Sequence, residues 1–334
     1  MDTVGDLARM LVLRTNQTRL NRDLDRLGVE MATGFVRDSA THLGGDVSGL
    51  VAIDRTLAKL ESYRVNTTEA SFLTGTMQTT LDEIQERSEQ LSQVLVSAEL
   101  TPSEEMLRTL ADEAETAMGQ IVNGLNRSVG GRYLFSGIAT DGPALADVDT
   151  ILTDLRAALS GETTAAGVDA ALDTWFDSPG GGFETAGYLG STTSLAPLKL
   201  GEGETARLDI RADDQVFRDL LKSVAKAALA TDDGLGFPDD LQIKLISDAA
   251  STLQGDQAEV VELRASLGAL EARVEETATR NAAERTATSL ARLELVGIDD
   301  YETAAKYENT RAQLESLYAI SVRSSRMSLV EFLR

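Results

Sequence analysis

Both ends of this chain carry apolar residues on the alternating three- and four-residue steps of a helical seam, and such a stripe cannot be buried by the helix that bears it. Near the start, Met10, Leu13, Leu20, Leu24, Leu27 and Met31 follow the pattern, with only Gln17 interrupting it. Near the end, Leu314, Leu317, Ile320 and Met327 hold a second stripe. Leu107, Leu110, Ala114, Ala117 and Ile121 form another, and Val260, Leu263, Leu267, Leu270 and Val274 one more. The two terminal arms are therefore expected to pack on each other, which brings the chain ends together.

Local signals divide the helices. Gly28 and Gly34 weaken the first one, and a second begins near Ser48, carrying Ile53, Leu57, Leu60, Leu73, Met77, Ile84, Leu91 and Leu95. Thr101-Pro102-Ser103-Glu104-Glu105 stops it and caps a third, since Pro suits a first turn and Glu favours the positive end of the helix dipole. That third helix should end by Gly130-Gly131. From about 131 to 240 the character changes. All but one of the prolines lie there, with the run Ser178-Pro179-Gly180-Gly181-Gly182 and a candidate strand over Ala206–Ile210 whose apolar and polar residues alternate. Helices return from about 239, and beyond Gly297 a last one should run from about Asp299 to near Phe332.

The expected fold is mainly α, a long antiparallel helical bundle or coiled coil built from both arms, with an inserted mixed α/β, strand-containing domain at the far end. Its expected divisions are a terminal coiled-coil domain (1–44 and 296–334), a helical-bundle core (45–137 and 240–295) and the insert (138–239).

Charge narrows the possible functions. The 334 residues carry 31 Lys and Arg against 54 Asp and Glu, a net −23, which disfavours nucleic acid or anionic lipid as a partner. Residues 1–40 balance six against six and residues 300–334 five against five, so the whole excess lies between them. Like charge keeps the bodies of copies apart, whereas neutral striped arms allow them to associate. No run of 18 apolar residues suggests membrane insertion. The start lacks a basic region followed by an unbroken apolar run, so no cleaved secretory signal is expected.

Catalytic chemistry has few footholds. With no cysteine and only His42, thiolate sites, two-histidine metal motifs and most nucleophilic triads are excluded. The chain has no Gly-Lys pair and hence no P-loop, and His42 reads as a surface-loop residue. Gly180–Gly182 reads as a plain loop, because Phe183-Glu184-Thr185 gives no sign of a following helix. Among the acidic pairs, Asp232-Asp233 matches no calcium loop, while Asp239-Asp240 and Asp299-Asp300 suit helix N-termini. Trp175-Phe176 reads as a core anchor ending a helix. Asn-x-Ser/Thr triplets at Asn16, Asn66 and Asn126 occur at background frequency. No catalytic, cofactor-binding or metal-binding residue is expected. A carboxylate-based hydrolase in the insert and a stalked extracellular binding module or adhesin remain as alternatives to a structural subunit.

Arg132-Tyr133-Leu134-Phe135-Ser136-Gly137, followed by Thr140-Asp141-Gly142-Pro143-Ala144-Leu145, resembles the flagellin superfamily, most of all its hook-associated branch at the junction of hook and filament. There a segment like Tyr133–Gly137 follows a long helix and precedes a variable insert. Gln313–Tyr318 and Ser328–Leu333 resemble the closing helix of that family, Met31-Ala32-Thr33-Gly34 the turn after its first helix, and Asn66 an Asn of its second. Phe35-Val36-Arg37-Asp38 and Gly44-Gly45-Asp46 keep only fragments of the basic pair and Asp-Asp that the family carries next.

The resemblance implies a non-enzymatic flagellar subunit, exported without a cleaved signal by the type III apparatus and extracellular at its destination. Its implied partners are copies of itself in a helical ring or tube, neighbouring hook-associated and flagellin subunits, and an export chaperone. A flagellin forming the filament itself is the near alternative. The expected assembly seam comprises Leu13, Leu20, Leu24, Leu27, Leu314, Leu317, Ile320, Met327, Leu329 and Phe332.

Overall fold

A computed structural model describes the backbone of residues 2–97 and 102–332, with the side chains of 8–97 and 102–323. The chain divides into two compact units, one formed by residues 1–62 and 282–334, the other by 63–281.

The first unit contains α1 (Asp2–Thr33), the short α2 (Ser39–His42), the start of α3 (Ser48–Val96), the end of α8 (Asp239–Val296) and α9 (Asp300–Phe332). Helix α1 runs through Gly28 and stops at Gly34, whose φ of +76° is one a side chain rarely adopts. Asp299 caps α9 by accepting the Glu302 amide at 2.8 Å, the role read from its position before the helix. Two ion pairs, Asp54–Arg292 at 2.8 Å and Glu61–Arg285 at 3.8 Å, mark the antiparallel run of α3 against α8.

The second unit holds the main core. Met77, Ile84 and Leu91 of α3 share a core with Leu107, Leu110 and Ile121 of α4 (Glu104–Leu125), on the stripes the spacing predicts, and Leu81 and Met118, outside those stripes, join it. Ser103 caps α4 through the Met106 amide at 3.2 Å; Thr101 lies outside the described residues. Arg264 of α8 reaches back to Asp82 at 2.7 Å and Gln85 at 2.6 Å on α3. Helix α4 ends five residues before Gly130, because Gly130 and Gly131, both at positive φ, instead form the turn of a hairpin between β1 (Ser128–Val129) and β2 (Arg132–Tyr133).

Helices α5 (Val148–Leu159), α6 (Ala165–Asp177) and α7 (Gln215–Ala228) build most of the middle segment. Lys222 of α7 ties α6 in place through Asp173 at 2.9 Å and Asp177 at 2.7 Å. Trp175 and Phe176 are buried at the end of α6, with ring centroids 4.6 Å apart and edge-on, a core anchor as expected.

Two local expectations are corrected here. The glycine run leads into a π-helical turn over Phe183–Gly187, and Glu184 of that turn accepts the Gly180 amide. It is also tightly packed, since a Cβ on Gly182 would fall 1.8 Å from Trp175 Nε1. Of the candidate strand 206–210, only Ala206 joins a ladder, in β4 (Thr205–Ala206), which pairs antiparallel with β3 (Leu198–Lys199). Burial still alternates along it, with Ala206 and Leu208 inside and Arg207 and Asp209 outside. A period of two reports an extended chain with one covered face; here hydrophobic packing rather than a second strand supplies the cover.

Asp256 of α8 sits beside Ser223, whose hydroxyl donates to it at 2.6 Å. Burial pushes its carboxyl above the usual range, opposed by the Ser223 hydrogen bond and Lys222 and reinforced by Asp219 and Glu259. The folded state therefore holds this proton more tightly than the unfolded chain, and stability falls as pH rises from the ordinary carboxylate value through the raised one. Asp256→Asn removes that cost. Urea unfolding should show the variant more stable than the parent at pH 7 and equal to it below about pH 4, where both are neutral at this position; equal stability at pH 7 would contradict the assignment.

Candidate assembly interface

The terminal helices pair antiparallel within the first unit. Gln17 Nε2 donates to Tyr318 Oη at 3.1 Å, Gly28 faces the Tyr307 ring, and Phe35 bridges Gly297. Of the seam residues, Leu20, Leu27 and Leu314 are buried, while Leu13, Leu24 and Leu317 are half-buried. Ile320 is 57% exposed, turned off the α1 contact. Met327, Leu329 and Phe332 fall at the end of α9, where side chains lie outside the described residues.

The inner face of α9 steps through Thr303, Tyr307, Thr310, Leu314 and Leu317, so a largely leucine stripe on α1 meets one that is polar over its first turns. Gln17, the interruption in the α1 pattern, is half-buried and pins the register to Tyr318.

A clasp closes the pair where α1 ends. The Val36 amide donates to the Val296 carbonyl at 2.9 Å, and the Ile298 amide to the Gly34 carbonyl at 3.1 Å. Arg292 lies over the Phe35 ring at 4.4 Å, adding a cation–π contact. Beneath it, buried Glu30 accepts from Arg26 at 3.2 Å and from the Arg37 amide at 3.1 Å. Sequence reading missed this clasp. Its backbone bridge carries no side-chain signature, although Glu30 on the leucine face was a visible oddity.

Hydrophobic exposure sets this unit apart. Among its described residues, twelve large hydrophobics are exposed, Met10, Leu11, Val12, Ile320 and Val322 among them. Among the same described residues, Leu20, Leu27, Leu60, Val296 and Leu314 are the buried hydrophobics. A unit that exposes more large apolar residues than it buries presents surface for a partner.

The segment Tyr133–Gly137 lies elsewhere, inside the second unit. Phe135 and Ser136 are fully buried, and Phe135 packs edge-on against Phe217 at 6.1 Å. Its backbone pins three stretches of chain: the Ala212 amide donates to Phe135 O at 2.9 Å, the Ser191 amide to Ser136 O at 2.9 Å, and the Tyr133 amide to Thr140 O at 2.9 Å. Asn126 adds a two-way clip to the Leu145 backbone, at 2.9 and 2.8 Å. This segment holds the insert to the bundle rather than offering a surface.

The remaining singled-out residues sit apart from both places. His42 is exposed at the end of α2. Asp232 accepts from Arg156 at 2.6 Å and Asp233 lies 3.4 Å from Arg108. Among the described residues no three His, Cys, Asp or Glu side chains group as metal ligands, and no helix is long and apolar enough to cross a membrane.

Residues 251–333 match the family model of the bacterial flagellin C-terminal helical region. No curated protein matches the chain in sequence. Solved structures share its fold, two of them as follows. One, from Vibrio parahaemolyticus and assigned as a flagellar hook-associated protein, is 12% identical with a TM-score of 0.52, over 73% of this chain and 95% of that one. The other, FlgL of Bacillus cereus, is 15% identical with a TM-score of 0.52, over 72% of this chain and 99% of that one.

Proposed function

We propose that this chain is a structural subunit of the bacterial flagellum, set at the junction between hook and filament and joined to its neighbours through the α1–α9 pair. The match of residues 251–333 to the flagellin C-terminal helical region carries this reading, because it covers α9 and the part of α8 leading into it. The excess of exposed apolar residues on the first unit supports it. The likeness in fold to the two hook-associated structures favours the junction over the filament.

The mechanism is burial shared between copies. In one chain α1 and α9 cover one face of each other and leave Leu11, Val12, Ile320 and Val322 to water. Burying such side chains against a neighbour contributes about 1.5–3 kcal/mol each, so a few suffice to drive assembly. The seam residues Leu13, Leu20, Leu24, Leu27, Leu314 and Leu317 hold the pair in shape and Ile320 is left for an adjacent subunit; Met327, Leu329 and Phe332 belong to the proposed seam on their place in the sequence alone. The role is structural and extracellular, with neighbouring hook-associated and flagellin subunits, and an export chaperone before assembly, as partners.

Immunogold labelling of isolated flagella tests the reading. Label concentrated at the hook–filament boundary is expected; label along the whole filament would make the chain a flagellin, and its absence from flagella would overturn the proposal.

A further inference from the structure

Residues 207–210 run on from β4 as extended chain with an unpaired backbone. No amide or carbonyl of Arg207, Leu208, Asp209 or Ile210 is hydrogen-bonded among the described residues. The register explains why the ladder stops: Leu198 pairs with Ala206, so the next residue opposite Arg207 is Pro197, which has no N–H to donate. All four residues border one cavity of about 660 Å³, whose other wall is Leu263, Leu267 and Leu270 of α8. Side chains alternate sides along an extended chain, so a cavity bordered by four successive residues runs along their backbone. From Thr205 to Ile210 the chain extends about 17 Å and from Leu263 to Arg273 the helix rises about 15 Å, room for about five residues of strand.

Charge sets the cavity apart. Its two cations, Arg207 and Arg273, have no ion pair among the described residues, whereas every other arginine between residues 65 and 281 has one. Arg273 touches only the Thr205 carbonyl, at 3.3 Å, and the acids nearest it on α8, Glu271, Glu275 and Glu276, leave it unpaired. Two free guanidiniums on one cavity are conspicuous in a chain of net charge −23. The cavity's acids, Asp209 and Asp214, lie further along the chain, where Asp214 accepts the Arg211 amide at 2.9 Å and stands 3.9 Å from its guanidinium. One end of the cavity is therefore basic and the other acidic.

We infer that this cavity takes an extended peptide, which adds as a strand beside Arg207–Ile210 with an acidic side chain held between Arg207 and Arg273 and apolar ones on the α8 leucines. The free amides and carbonyls supply main-chain bonds to any sequence, and the alternate side chains of the peptide then meet the arginines on one side and the leucines on the other. A carboxylate between two guanidiniums gains charge-assisted hydrogen bonds that no group of this chain supplies. Asp209 and Asp214 favour a basic residue at the peptide's other end. The site lies wholly within the second unit and stands independently of the flagellar reading.

Fluorescence polarisation of the full-length protein with a labelled, amidated peptide Glu-Val-Thr-Val-Lys tests the site. Saturable binding is expected, and hydrogen exchange at residues 207–210 should slow when the peptide is bound. Arg207→Ala/Arg273→Ala should weaken binding about tenfold, the loss of two charge-assisted contacts. Both arginines are exposed, so the double variant should melt with the parent and the loss can be read as binding. Methylating the amides of the adjacent Val and Thr of the peptide, one of which must face the free edge, should also weaken binding about tenfold. No saturable binding, indifference to the loss of both arginines, or full affinity of the methylated peptide would each overturn strand addition. Displacement of the peptide by succinate at equal concentration would mean a plain anion site and overturn it too.

Discussion

Leu27→Asp should eliminate incorporation into flagella while leaving residues 63–281 folded. Leu27 is 3% exposed in the seam between α1 and α9. Removing a buried leucine costs about 2–5 kcal/mol, and an unpaired carboxylate in its place adds a desolvation cost. The first unit buries few large apolar residues, so a loss of that size is enough to part its helices. Limited proteolysis of the variant should trim both arms back together and spare the second unit. Leu24→Asp, at a half-buried position, should act in the same direction but less strongly. Ile320→Asp is the informative contrast: at 57% exposure it should leave the isolated chain as resistant as the parent, yet reduce incorporation. Normal incorporation of Leu27→Asp would refute shared burial as the assembly mechanism.

Gly137→Ala should strongly destabilise the second unit by a single methyl group. Gly137 has φ of +62°, and a Cβ there would lie 2.3 Å from the Ser191 carbonyl oxygen and 2.5 Å from that of Thr193. Both neighbours are backbone, so neither can swing aside as a side-chain tip would. Relief means moving the 191–193 strand of chain, which breaks the Ser191–Ser136 and Ile138–Thr193 hydrogen bonds at 2.9 and 3.0 Å. The left-handed conformation alone costs a non-glycine residue roughly 1–2 kcal/mol, and two lost backbone hydrogen bonds add about 1–3 kcal/mol more. At about 2–4 °C per kcal/mol for a unit of this size, the melting temperature should fall by roughly 10 °C. A fall of less than about 2 °C would mean that the insert is not held at this point.

Legibility in the sequence followed the range of the interactions. Helix starts after Ser103 and Asp299 could be read because caps are local: one side chain meets an amide three residues on. The α1 seam could be read because heptad spacing needs no knowledge of the partner. By contrast, the glycine run at 180–182 looked like an ordinary loop until Trp175, buried from the preceding helix, was seen to lie against it. The candidate strand shortened to one paired residue for a related reason, since alternation records which face is covered and not what covers it.

Tyr133–Gly137 shows the division most clearly. Its resemblance to a family segment was visible, but its work as an anchor depends on Ser191, Thr193 and Ala212, more than fifty residues away. The Phe35–Gly297 clasp is more extreme, joining backbone groups more than two hundred and fifty residues apart. By itself the sequence determined the helices, their apolar stripes, the neutrality of the arms and the acidity of the body, because each depends on residue type and short spacing. Only the tertiary structure decided which stripe meets which, where the glycines are crowded and which apolar residues stay in water, because those depend on backbone and side-chain groups that approach only once the chain has folded.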